Sequence, residues 1–239
     1  MLEPGTADRA VGQQGGRRIA LAGRVGRTDR PAQQVEGPVI GAGVEAGAFV
    51  NPDDPTAEPT IQAFCVPIVY LDRDTRSLVE DTYGLTVTTV VVKPQSRGEV
   101  RLRSANPADK PLVSPNLLKD PADMAAMIAG QRFFVRAFQT GPLAERVKRI
   151  AIPDPAALDD ATLAQHCRRF VKTNYHPAST ARMGADGDPM AVLDARMRVR
   201  GIEGLRVADM SAVPDINAGN TNAPAMMLGD RCAAFVRGA

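Results

Sequence analysis

The sequence predicts an α+β fold, with antiparallel strands and separate helices. Three observations carry this reading: two stretches with strand alternation separated by a turn, a helix with an explicit start at Asp120, and a polar-to-apolar helix entry near the C-terminus. The 239 residues suffice for one large domain or two small ones, and an apolar fraction of 44% can fill a core.

Taken in order, residues 1–36 differ from the rest. They hold six arginines, six glycines and no aromatic residue, which predicts a poorly ordered arm with at most a short helix around residues 17–25. From Gly41 the text becomes globular. Pro38 to Gly47 invites a dinucleotide-binding reading, but the spacing is GxGxxxG, the strand before it is short, and Asn51-Pro52-Asp53-Asp54-Pro55 would break the following helix. An ordinary glycine-rich connection is expected. Ile61 to Tyr70 is apolar with Pro67 inside it, which predicts an edge or bulged strand. Leu85 to Lys93 and Glu99 to Arg103 alternate across the turn Pro94-Gln95-Ser96-Arg97-Gly98, which predicts an adjacent antiparallel pair.

Asp120 is a good N-cap, Pro121 suits the first helical position and Asp123 adds negative charge to the first turn. Met124, Met127, Ile128, Phe134, Val135 and Phe138 follow at helical spacing as a core face, and Gly141-Pro142 stops the run. A further helix starts near Asp159 or Asp160, with Leu163, Cys167, Phe170 and Val171 on one face. His166 beside that face reads as a packing or surface residue and Cys167 as a small buried hydrophobe. Leu205 to Asp209 reads as a short strand ending in an acid.

Composition narrows the function classes. Cys65, Cys167 and Cys232 are odd in number and far apart, which excludes a disulfide framework and a thiolate zinc site. Two histidines in the whole chain leave no His-rich metal centre. A net charge of +2 gives no reason to expect a nucleic acid partner. No run approaches the roughly 18 apolar residues of a membrane span, and the N-terminus has no secretory pattern. The expectation is a soluble, cytoplasmic protein.

Chemistry concentrates in the last third. His176 precedes Pro177, so its backbone is extended and the imidazole stands in a loop, either as a proton-exchanging group in a cleft or as a turn histidine bonded to backbone. Gly219-Asn220-Thr221-Asn222 before Ala223-Pro224 is a helix entry, with Asn222 as the expected N-cap and Pro224 in the first turn. Such an end favours an anion or developing negative charge. Capping explains Asn222; it does not explain Asn217, Asn220 and Thr221 crowded ahead of it.

These segments, His176-Pro177, Arg182-Met183-Gly184, Leu205-Arg206-Val207-Ala208-Asp209-Met210-Ser211 and Gly219-Asn220-Thr221-Asn222-Ala223-Pro224, resemble in order and spacing the C-terminal signature of the glucose–methanol–choline (GMC) flavoprotein oxidoreductases. Gly43 to Phe49, Ser96-Arg97-Gly98 with Val100-Arg101-Leu102, and Asp120 to Asp123 agree. The resemblance covers residues 37–239 and is nearest the choline-dehydrogenase-like, alcohol-oxidising branch. It implies an antiparallel β-sheet flanked by helices, and FAD-linked oxidation of a small-molecule alcohol. His176 matches the family's proton acceptor, working while hydride passes to flavin N5. Asn222 matches its partner and would orient the hydroxyl, since an amide is no base. Asp209, Gly219, Asn220, Thr221, Asn222 and Pro224 would line the FAD crevice.

The family's strand–GxGxxG–helix unit for the ADP half of FAD has no counterpart in this chain. The expectation is therefore a substrate-binding domain over 37–172 and a catalytic, FAD-contacting segment over 173–239, in an incomplete or split enzyme. A separate N-terminal FAD-binding chain is a possible partner. The alternative is a non-catalytic fragment or ligand-binding module unable to hold FAD alone. A hydrolase is disfavoured because no GxSxG elbow is present.

Overall fold

The computed structural model describes residues 44, 46–72, 74–79 and 84–238. The arm and short helix expected over residues 1–36, and the glycines Gly41 and Gly43, lie outside them. Contacts divide the chain after Thr89 into two compact units. No helix of the described residues is long and apolar enough to cross a membrane.

A three-stranded sheet has the strand order β1 (Ala46–Val50), β2 (Ile61–Val66), β3 (Thr86–Val91). β1 and β2 are antiparallel, with Ala46 opposite Cys65 and Val50 opposite Ile61. The connection is built by side chains. Asn51 Oδ1 accepts from the amides of Asp53 and Asp54, and its Nδ2 donates to the Glu58 carbonyl at 3.0 Å. The segment that reads as a helix breaker is thus a hairpin turn, and Ala46–Val50 ahead of it form a strand. Gly47 suits the close approach of the two strands, because a Cβ there would stand 3.2 Å from the Ala63 carbonyl oxygen. β2 is the central strand, with Ile61 and Ala63 buried, and not the edge strand that Pro67 suggests. It ends at Val66, so the missing proline N–H falls outside the ladder. Thr86 Oγ1 donates to the Ile68 carbonyl and accepts from the Tyr70 amide, both at 2.9 Å.

In the second unit β4 (Glu99–Arg101) pairs antiparallel with β5 (Leu112–Ser114), with Val100 opposite Val113. The expected pairing of Leu85–Lys93 with Glu99–Arg103 is therefore wrong. Residues 93–98 are held elsewhere: Asp123 accepts from the amides of Gln95 at 2.7 Å and Ser96 at 2.8 Å, and Ser96 Oγ accepts from the Asp120 amide. Lys93 takes a positive φ of 53°, which turns the chain away from β3. Gly98 fits against β5 only because it lacks a side chain; a Cβ would lie 2.4 Å from the Ser114 carbonyl oxygen.

α1 (Pro121–Phe138) starts as the sequence requires, with Asp120 accepting from the Ala122 amide at 2.8 Å. Gly141-Pro142 then opens the four-residue α2 (Gly141–Ala144). α3 (Asp160–Phe170) is capped by Asp159, which accepts from the Thr162 amide at 3.0 Å. Ile128 of α1 and Leu163 and Cys167 of α3 form one core, joined by Met124 and Met127. Arg132 pins the pair, donating to the Leu158 carbonyl at 2.8 Å and to Asp160. His166 stacks on Phe170 with ring centres 4.6 Å apart, and burial lowers its pKa. Burial pushes the Cys167 thiol up to about 11, in keeping with a packing role.

The last third is mostly irregular chain around a second core of Met197, Met210, Leu228 and Cys232. Leu205 to Asp209 does not form the expected strand. Its pairing is a single antiparallel bridge, Arg198 to Arg206, because Met197, Gly201 and Gly204 all take positive φ and close the connection too tightly for a ladder. The C-terminal helix α4 (Asn222–Arg237) lays Leu228 and Cys232 on this core.

Candidate active site

His176 stands in a loop, as Pro177 requires. Two non-glycine residues with positive φ bracket it, Tyr175 at 63° and Ser179 at 67°. Such backbone persists only where surrounding bonds over-determine it. Here the amides of Ser179, Ala181 and Met183 donate to the carbonyls of Met210, Ser211 and Ala212 at 2.8–3.0 Å. The turn Met210–Ala212 is fixed in its own right by Asp209, whose Oδ1 accepts from the Ser211 amide at 2.7 Å. Bonds from the Ser211 side chain and then its amide hold the Asp209 carboxyl below the ordinary range. Asp209 thus braces the turn that carries the His176 loop.

Both ring nitrogens of His176 have partners. Nδ1 lies 2.7 Å from Thr221 Oγ1, and Nε2 lies 3.3 Å from Asn220 Nδ2. Thr221 is buried and Asn220 is exposed, so the half-buried ring meets a buried residue at Nδ1 and an exposed one at Nε2. The loop ahead of α4 is internally bonded: Asn217 Nδ2 donates to the Gly219 carbonyl at 2.9 Å and the Gly219 amide donates back to Asn217. Asn217 Oδ1 is buried and has no hydrogen-bond partner. A buried acceptor of this kind is uncommon and marks a place where a donor is missing.

Among the expected site residues the structure joins His176, Asn220 and Thr221. Asn222 is not the N-cap. Thr221 holds that position, with φ −92° and ψ −1°, and Asn222 is the first helical residue, exposed and without a side-chain hydrogen bond among the described residues. One step into a helix turns a side chain by about 100° around the axis, so the residue outside the first turn meets the loop and the one inside it does not. The residue at His176 Nε2 is Asn220. Pro224 is third in α4, and Gly219 closes the Asn217 turn. The sequence marks Asn217 as one of the polar residues crowded ahead of α4 but gives it no role; the structure places it in the turn closed by Gly219.

The GMC oxidoreductase family model, its C-terminal domain, matches residues 94–229, and the chain belongs to that family. It is 38% identical over 192 residues to the alcohol dehydrogenase [acceptor] of Pseudomonas putida, covering 80% of this chain and 34% of that one. It is 42% identical over 158 residues to the choline oxidase of Arthrobacter globiformis, covering 65% of this chain and 29% of that one. Among solved structures, a pyridoxine 4-oxidase from Mesorbium loti superposes with a TM-score of 0.73 at 23% identity, over 82% of this chain and 38% of that one. The chain therefore spans about a third of the length of the curated relatives it matches.

The fold is the family's: small antiparallel sheets and helices, covering part of the solved neighbours. FAD, the cofactor of this family, fits the residues present. The orphaned Asn217 Oδ1 calls for an N–H donor, and the start of α4, uncapped by Thr221, offers donors to an electronegative edge. A flavin's pyrimidine edge presents both kinds of group.

Proposed function

We propose that this chain carries the catalytic base of an FAD-dependent oxidoreductase that converts an alcohol CH–OH group to a carbonyl, in the manner of the choline- and alcohol-oxidising relatives. The observation that carries this reading is His176 with Nε2 beside the exposed Asn220, at the entrance of α4.

His176 Nε2 takes the hydroxyl proton of the alcohol, which places negative charge on the oxygen and weakens the adjacent C–H bond. Asn220 holds that oxygen in place by donating its amide hydrogen, and cannot itself act as a base. Bound FAD supplies the acceptor for the hydride that leaves the carbon, so that alcohol loses one proton and one hydride and becomes carbonyl. Asn217 and the first amides of α4 would hold the flavin's pyrimidine edge, with Thr221, Asn222 and Pro224 lining the same entrance. The positive end of α4 favours negative charge gathering there.

The described residues include no strand–glycine turn–helix unit of the dinucleotide kind. The adenine half of FAD would be held by residues other than these, a separate FAD-binding chain being one candidate. The test is a visible spectrum with FAD present in excess, followed anaerobically during addition of a primary alcohol. Wild-type protein should bleach the flavin band, and His176→Ala should slow bleaching by roughly 100-fold or more. Equal bleaching rates in the two proteins would refute the role given to His176.

A further inference from the structure

We infer that Thr221 is a positioning residue that sets the tautomer of His176, keeping the ring proton on Nδ1 so that Nε2 presents its lone pair. The inference deepens the proposed function and rests on the reading of His176 as proton acceptor.

Three observations converge. First, Thr221 Oγ1 lies 2.7 Å from Nδ1 and the residue is only 8% exposed, so water competes poorly for this bond. Second, Thr221 is the N-cap of α4 yet makes no side-chain cap bond. A threonine at this position ordinarily spends its oxygen on the amide of the second or third helical residue. Here the third residue is Pro224, which has no N–H to offer. The proline removes one of these two donors, no cap bond is made to the other, Ala223, and the hydroxyl lies against the imidazole instead.

Third, the opposite edge of the ring fixes the direction. Asn220 presents its amide nitrogen to Nε2 at 3.3 Å. An amide N–H only donates, so Nε2 is the acceptor, and the single proton of the neutral ring sits on Nδ1 and is donated to Thr221 Oγ1. The free histidine side chain prefers its proton on Nε2, the form unable to take a proton there. Thr221 reverses that preference from the buried side, and the exposed Asn220 reads it out at Nε2.

The experiment is nitrogen-15 NMR of the imidazoles in the full chain, at a pH where His176 is neutral. The sequence has only two histidines, and His166→Gln assigns them. Wild-type His176 should carry its proton on Nδ1. Thr221→Val keeps the shape and loses the hydroxyl, and should shift the ring toward the Nε2–H form; Thr221→Ser should restore Nδ1–H. A wild-type ring protonated on Nε2, or a valine variant with an unchanged tautomer, would overturn the inference. The wild-type spectrum decides even if the valine variant misfolds, and Thr221→Ala then replaces it. With FAD supplied, Thr221→Val should lower kcat for alcohol oxidation roughly 10- to 100-fold with KM little changed. A chain that oxidises no alcohol, yet shows the Nδ1–H form lost in Thr221→Val, would sink the oxidation reading and leave the positioning role standing.

Discussion

Asp123 is the residue whose removal should cost the second unit most for a single polar side chain. It is 3% exposed and accepts from the amides of Gln95 and Ser96 at 2.7 and 2.8 Å. Hydrogen bonds to a charged acceptor contribute about 1.5–3 kcal/mol each, so two of them set a ceiling near ~6 kcal/mol. Gln95 is exposed and its amide rehydrates when the carboxylate is gone, which brings the expected loss for Asp123→Ala down to about 3 kcal/mol. Asp123→Asn keeps one acceptor and turns an N–H toward the other amide, so it should lose about half as much. The chain has no tryptophan, so far-UV circular dichroism during urea unfolding is the assay. An alanine variant within about 0.5 kcal/mol of wild type would refute the reasoning.

Other outcomes follow from packing and titration. Leu163 is fully buried between α1 and α3, so Leu163→Ala should cost about 2–5 kcal/mol in the same unfolding assay. A loss under about 1 kcal/mol would mean that the pair does not pack as described. Burial lowers the pKa of His166 in the folded protein, so the unfolded chain takes up the proton first as the pH falls. Stability is then fully present above the ordinary histidine value of about 6.5 and is lost as the pH drops from there through the lowered folded value. His166→Gln should remove this part of the pH dependence; identical curves for the two proteins between neutral and mildly acid pH would contradict it.

Local chemistry was legible in the sequence and non-local pairing was not. Asp120 with Pro121, and Asp159 ahead of an apolar period, announce helix starts because the cap and its amides lie within three residues of one another. The strands reveal where they are but not whom they meet. Residues 93–98 read as a hairpin turn, and what redirects them is a carboxylate 27 and 28 residues further on. β5 could not be read at all, because Leu112–Ser114 is three residues long and exposed throughout, with no alternation to detect. Asp123 itself was visible only as first-turn charge; its two amide partners belong to tertiary structure.

The candidate site divides along the same line. The loop setting of His176 follows from Pro177, a neighbour in sequence, whereas the choice between Asn220 and Asn222 depends on where α4 begins. Sequence alone allows the helix to begin at either end of Thr221-Asn222. A proline in the first turn suits both, since it lacks an N–H wherever one would be left over. What breaks the tie is His176, which takes the Thr221 hydroxyl that a cap would have used and sits against Asn220 on its other edge. Forty-four residues separate His176 from Asn220, and the bonds that close this gap are backbone bonds from residues 179–183 to the turn braced by Asp209. The position of the imidazole therefore rests on main-chain bonds, and its two ring nitrogens meet the side chains of Thr221 and Asn220.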